Sequence, residues 1–538
     1  MTRDGREPRA SAERAGAVQG RMPWRARARV AIAAAASVAL VASLGACGLL
    51  PLPRPDATST PDTSGVAAEL LPYYGQTLVW HACENDLQCT TAQAPLDWAD
   101  PAGERIELAL IRSPATGTKQ GSLFVNPGGP GASGYDFLAS GVGSAVDAEL
   151  SQRFDVVSWD PRGVGRSTPI SCGTPAQLDD FYFGIVPGEV GSDAWFSSVF
   201  DGARAFARRC AASQGDLIAH VDTVSTARDL DLLRALVGEA KLDYLGYSYG
   251  TFIGSVYAET FPERTGRLVL DGAVDPSESF ADGAARQAAG FDSALRAYVT
   301  DCLARERCPL SGTVATALGD VHELLERLDA SPLRAADGRE LGGATALTAI
   351  ITPLYSRAAW PNLDQLFASL ERGDPSVAFA LADSYYERQS ADRYGGNLIE
   401  MFFATSCLDG GEPADAAQLT AQAATIEAAA PVLGRWLGPL SGEPYNGNAC
   451  AVWPYPAVLQ PHPITASGSS DILVVGTTND PATPYASAVA LAGQLEHGHL
   501  VSYTGEGHTA YNGSSACVDR VVDAYVVHGT VPATDPRC

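Results

Sequence analysis

Residues Gly246-Tyr247-Ser248-Tyr249-Gly250 close a strand-like run, 242–246, and open a helical pattern, 248–260. A chain passes from strand to helix over so few residues only through a sharp turn with little side-chain bulk, which the two glycines supply. Such a turn lifts Ser248 over the strand ends. The N–H groups at the helix start lie beneath it and favour developing negative charge. The same succession recurs along the chain. Strand-like runs stand at 106–111, 123–126, Phe154–Trp159, 267–271, 472–476 and 499–503, with helical periods at Thr223–Leu236 and 486–495. Strand and helix in alternation predict an α/β class, with a mostly parallel central sheet covered by helices on both faces. The alternation stops between Asp275 and about Met401, where helical spacing at 314–328 and 363–370 predicts a mainly helical insertion.

A serine nucleophile needs a base, and the base needs an orienting acid. His508 lies in Gly505-Glu506-Gly507-His508-Thr509, just past the run 499–503. Loops at the carboxyl ends of parallel strands are where ligand chemistry gathers. His497 and His499 precede that strand and His528 sits in the final helical stretch. Asp480 follows the run 472–476 and occupies the middle place in the order Ser248, Asp480, His508. A turn former or helix cap is the plain alternative for Asp480, and Asp271 is the runner-up acid. The run 123–126 leads into Pro127-Gly128-Gly129-Pro130-Gly131, which lets backbone approach a substrate closely. The N–H of Gly129 and that of Tyr249, just after the nucleophile, are the expected oxyanion donors.

The N-terminal segment bears on compartment. Arg25, Arg27 and Arg29 precede a fifteen-residue apolar stretch, 30–44, that is shorter than the roughly 20 residues of a membrane-spanning helix. It ends in Leu44-Gly45-Ala46-Cys47. Residues 1–46 therefore predict a secretory signal, with Met22 as an alternative start. The ending resembles a bacterial lipobox, in which Cys47 is lipidated; plain secretion with cleavage near Ala46 is the alternative. Residues 47–69, rich in Pro, Thr, Ser and Asp, predict a flexible tether. Lys and Arg number 37 against 62 Asp and Glu, and the only lysines are Lys119 and Lys241. The leader holds eight of the arginines, so the remainder is more acidic still. Nucleic acid is excluded as a partner, because phosphate binding needs a basic face.

Eleven cysteines point to an oxidising compartment. With Cys47 set aside, the even count and short separations predict sequential pairs: Cys83–Cys89, Cys172–Cys210, Cys302–Cys308, Cys407–Cys450 and Cys517–Cys538. No spacing suggests a metal site, and no cofactor is expected.

Taken together, Asn126-Pro-Gly-Gly-Pro-Gly131, Asp160-Pro-Arg-Gly-Val-Gly-Arg-Ser167, Thr226-Ala-Arg-Asp-Leu230, Gly246-Tyr-Ser-Tyr-Gly-Thr251 and Gly505-Glu-Gly-His508 resemble a known family. It is the proline iminopeptidase and tripeptidyl aminopeptidase family of α/β-hydrolases, in its secreted actinobacterial branch. The segment Trp80–Pro95, with Cys83 and Cys89, resembles that branch too. Pro127 departs from the family's usual histidine, which leaves the backbone donors in place. The resemblance implies an α/β-hydrolase core over 70–275 and 401–538, a helical cap over 276–400, and hydrolysis of short peptides from a free N-terminus. Such an enzyme must pair the substrate's α-ammonium with carboxylates. Glu400 and Asp409, where cap rejoins core, are the candidates. A carboxylesterase or lipase with the same triad is the alternative, and a non-catalytic surface binding protein a third.

Overall fold

The computed structural model describes residues 57–411, 414–441 and 450–538. The expected signal, Cys47 and the first part of the tether lie outside the described residues. Ten strands form one sheet: β1 Ala57–Thr58, β2 Val79–Ala82, β3 Gln88–Pro95, β4 Arg105–Ser113, β5 Gly121–Asn126, β6 Phe154–Trp159, β7 Leu242–Tyr247, β8 Thr265–Asp271, β9 Ile472–Asn479 and β10 Gly498–Glu506. Their spatial order is β1-β2-β3-β4-β6-β5-β7-β8-β9-β10. The first four are antiparallel, as is β4 against β6, and every pair from β6 onward is parallel.

The central strands are apolar on both sides because both sides are covered. Leu123, Val125, Val269, Leu473 and Val475 enter one core with Val522 and Val526 of the helix Ala516–His528. The alternate residues Phe124, Leu268, Leu270 and Val474 enter the other, with Leu230 and Leu233 of Thr223–Leu236 and Ile253 of Tyr249–Thr260. The period of two along a strand thus feeds two helical layers.

Two features differ from the sequence expectation. Residues 57–69, expected within a flexible tether, are held against the core: Ala57 and Thr58 pair with Trp80 and Val79 at the sheet edge, and the Asp62 N–H donates to the Ala235 carbonyl at 2.8 Å. This segment has no apolar period, yet its backbone groups satisfy the otherwise open edge of β2. The helical region also does not stop at 400. Helices continue at Leu398–Leu408, Ala416–Ala429 and Gly434–Leu437, and the sheet resumes only at β9. Asn397 marks the junction, donating to the carbonyls of Gly163 and Ile170 and accepting the Gly165 N–H. All five expected cysteine pairs are joined as disulfides. Among the described residues no helix is long and apolar enough to cross a membrane.

Candidate active site

Ser248 joins β7 to the helix Tyr249–Thr260 with φ 56° and ψ −127°, a conformation that non-glycine residues rarely adopt. Its surroundings hold it there. The Ser248 N–H donates to the Asp271 carbonyl at 2.9 Å, and the Ser248 carbonyl accepts from both the N–H and the hydroxyl of Thr251. Gly246 is required because a Cβ there would lie 2.4 Å from the Gly250 carbonyl oxygen.

Asp480 follows β9 directly and is fully buried. Its Oδ1 accepts the N–H groups of Ala482 and Thr483, both at 2.9 Å. Both carboxylate oxygens stand 2.9 Å from His508 Nδ1. A carboxylate only accepts, so Nδ1 carries the proton and Nε2 is left as the basic nitrogen. That Nε2 is buried without a hydrogen-bond partner. The structure therefore brings Asp480 to His508 while Asp480 also shapes its own turn. The following helix begins at Tyr485 with no side-chain cap. Asp271, the runner-up, serves the same loop from behind: its carboxylate accepts the N–H groups of Ala510 and Tyr511. Burial pushes that carboxyl up to about 6.

Burial pulls the His508 pKa down, but the charge and hydrogen bond of Asp480 outweigh it and the net shift is upward. A base works only when neutral, so activity falls as pH drops through a raised value. The acid limb of kcat/KM against pH is expected above the ordinary histidine value of about 6.5, and a limb below 6 would contradict it.

Gly129, Tyr249, Ser248 and His508 line one cavity of about 620 Å³. Gly128 passes so close to the turn that a Cβ on it would meet the Tyr247 carbonyl at 2.6 Å and the Tyr249 nitrogen at 2.9 Å. The Gly129 N–H has no backbone partner among the described residues. Asp409 reaches this cavity, but its carboxylate is engaged: it accepts the N–H and hydroxyl of Thr223 and the hydroxyl of Tyr249. Burial pushes it up to about 7. It anchors the ring of the residue after the nucleophile. Glu400 is buried, is likewise pushed up to about 7 by burial, and is not among the residues lining the cavity.

Sequence reasoning missed three residues here. Asp275 and Glu278 line the cavity, Glu278 with its carboxylate 2.6 Å from Arg286 Nε. Tyr355 comes from the helical insertion; its carbonyl accepts the backbone N–H of His508 at 2.8 Å and its ring meets the imidazole edge-on at 5.5 Å. None of the three sits in a motif, so only the fold reveals them.

The description "TAP-like protein" belongs to the family model that matches residues 440–538. Similar proteins cover most of the chain. Serine protease Hip1 of Mycobacterium tuberculosis is 37% identical over 485 residues, 87% of this chain and 92% of that protein. Carboxylesterase B of the same organism is 36% identical over 85% of this chain and 89% of its own length. Tripeptidyl aminopeptidase of Streptomyces lividans is 32% identical over 85% of this chain and 86% of its own length.

Proposed function

The chain belongs to the TAP-like family of α/β-hydrolases, a family of serine hydrolases, and we propose that it cleaves short peptides from a free N-terminus by acyl transfer through Ser248. The observation that carries this reading is His508: Nδ1 held by Asp480, Nε2 buried without a partner, and the imidazole on the same cavity as Ser248. His508 Nε2 takes the hydroxyl proton as Ser248 attacks the scissile carbonyl carbon. The N–H groups of Gly129 and Tyr249 hold the oxygen that becomes negative. His508 then returns the proton to the leaving nitrogen, the amine departs, and water hydrolyses the acyl-enzyme. Asp275, whose carboxylate accepts from Ser277 and Gln494, supplies counter-charge for the substrate's α-ammonium in a cavity whose other walls include Phe252, Leu347 and Phe402, whereas Glu278 is already paired with Arg286 of the same cavity. The helical insertion, which runs on past 400 and contributes Phe402 and Trp436, closes this side of the site.

A second reading, carboxylester hydrolysis, draws on the similarity to carboxylesterase B and on the apolar walls. Tripeptide anilides and p-nitrophenyl esters assayed side by side decide between them; turnover of esters alone would reject the peptidase. The lipobox-like ending at Cys47 supports a lipid anchor on the outer face of the membrane. The same anilide assay on membrane and soluble fractions tests it, because Cys47→Ala should move the activity to the soluble fraction.

A further inference from the structure

A second cavity, of about 760 Å³, meets the first at Pro127, Ser248, Tyr355 and His508. The two are chemically distinct around the serine. Gly129 and Tyr249 line only the first, whereas Glu506, Gly507 and Thr509, on either side of His508 in sequence, line only the second. In acyl transfer the carbonyl oxygen turns toward the oxyanion donors, and the leaving nitrogen turns toward the imidazole that protonates it. The first cavity then holds the acyl part and the second the leaving part. Arg357 and Glu506 also line a further hollow of about 420 Å³ with Arg296, Asp301 and Trp360, so the second side continues outward as a groove.

Arg357 is the cation at the junction. Its side chain is 66% exposed, its Nη2 is 3.3 Å from Asp301 Oδ1, and its guanidinium lies 5.4 Å from the Trp360 ring centroid. Asp301 also holds Arg305 Nε at 3.2 Å, so Arg357 shares its counter-ion. An exposed pair of this kind exchanges at little cost. The nearby acid, Glu506, accepts the Asn479 side-chain amide. A planar guanidinium beside an aromatic ring presents a fork suited to a carboxylate.

We propose that this second cavity is the leaving-group side of the active site and that Arg357 favours leaving peptides bearing a carboxylate within their first residues. The proposal rests on the peptidase reading above. Its test uses the full chain and peptides sharing one N-terminal tripeptide. The leaving segments are Asp-Ala-Ala-amide, Lys-Ala-Ala-amide and Ala-Ala-Ala-amide, with Ala-Ala as free acid and as amide. Cleavage is followed by mass spectrometry.

The aspartyl segment is expected to be cut about fivefold faster in kcat/KM than the lysyl one, with the ratio shrinking at high salt. Arg357→Lys keeps the order and Arg357→Glu reverses it. A free acid favoured over its amide assigns the carboxylate to a C-terminus as well as to a side chain. Equal cleavage by the unaltered protein, or an order unchanged in Arg357→Glu, overturns the proposal. Failure on every peptide while esters turn over removes the peptidase reading itself, and this one with it.

Discussion

Asp480→Asn is expected to lower kcat/KM on a tripeptide anilide by about 10⁴-fold while leaving the fold intact. The reason is a single proton. Asp480 accepts from His508 Nδ1 through both oxygens at 2.9 Å, which leaves Nε2 free to accept the serine proton. An asparagine amide would donate to Nδ1 instead, moving the imidazole proton to Nε2 and removing the base. Ser248→Ala should cost at least as much, with the remaining rate due to binding and the backbone donors. Ser248→Gly offers a control on structure: it abolishes acyl transfer equally, but glycine accepts φ 56° without strain. It should therefore unfold at higher urea than Ser248→Ala, by about 1 kcal/mol. A fluorophosphonate probe should label the unaltered protein and neither serine variant. Activity of Asp480→Asn within tenfold of the unaltered enzyme would reassign the orienting acid.

These residues were legible because each lies where backbone geometry restricts the sequence. The turn at Ser248 needs glycine, the loop at His508 follows an apolar strand, and Asp480 stands one residue past another. The parallel strands were legible for a related reason, since burial on both faces leaves them uniformly apolar. The edge segment 57–69 was not, because its pairing uses backbone groups that any side chain carries. The helix Asp193–Ser213 is not legible either, its apolar residues mixed with alanine and arginine that read equally as surface, nor is Ala416–Ala429, where alanine, glutamine and threonine leave little apolar contrast between faces. Tyr355 depends on how the cap folds back over the strand ends, which no local spacing encodes, while Asp275 and Glu278 follow β8 in a stretch with no motif to mark them. Asp409 was legible as an acid at the right place but not in its role. Its partners Thr223 and Tyr249 lie far off in sequence. The two motifs without evident chemistry, at 160–167 and 226–230, became legible only as a pair.

That pair carries the second large effect. Arg162 and Asp229 are both 0% exposed, joined by Nε to Oδ2 and Nη2 to Oδ1, each at 2.7 Å. The other three N–H groups of Arg162 donate to the carbonyls of Leu96, His220 and Pro95, and Asp229 also accepts from Trp98. No donor of the guanidinium is left over, so the charge is tolerated only while its partner is present. Asp229→Ala is expected to destabilise the protein by about 3–5 kcal/mol, seen as a lower urea midpoint at unchanged slope. Replacing both residues together, Arg162→Met with Asp229→Leu, removes the stranded charge but leaves the Leu96 and His220 carbonyls and the Trp98 N–H without these partners, so it should recover only part of that loss. The carbonyls that Arg162 holds belong to the end of β3 and to the approach to the helix Thr223–Leu236, whose first residue grips Asp409 under Tyr249. Asp229→Ala that remains folded should therefore lose kcat as well as stability. A loss below 1 kcal/mol would mean that water enters to replace the carboxylate, and the motif would then need another explanation.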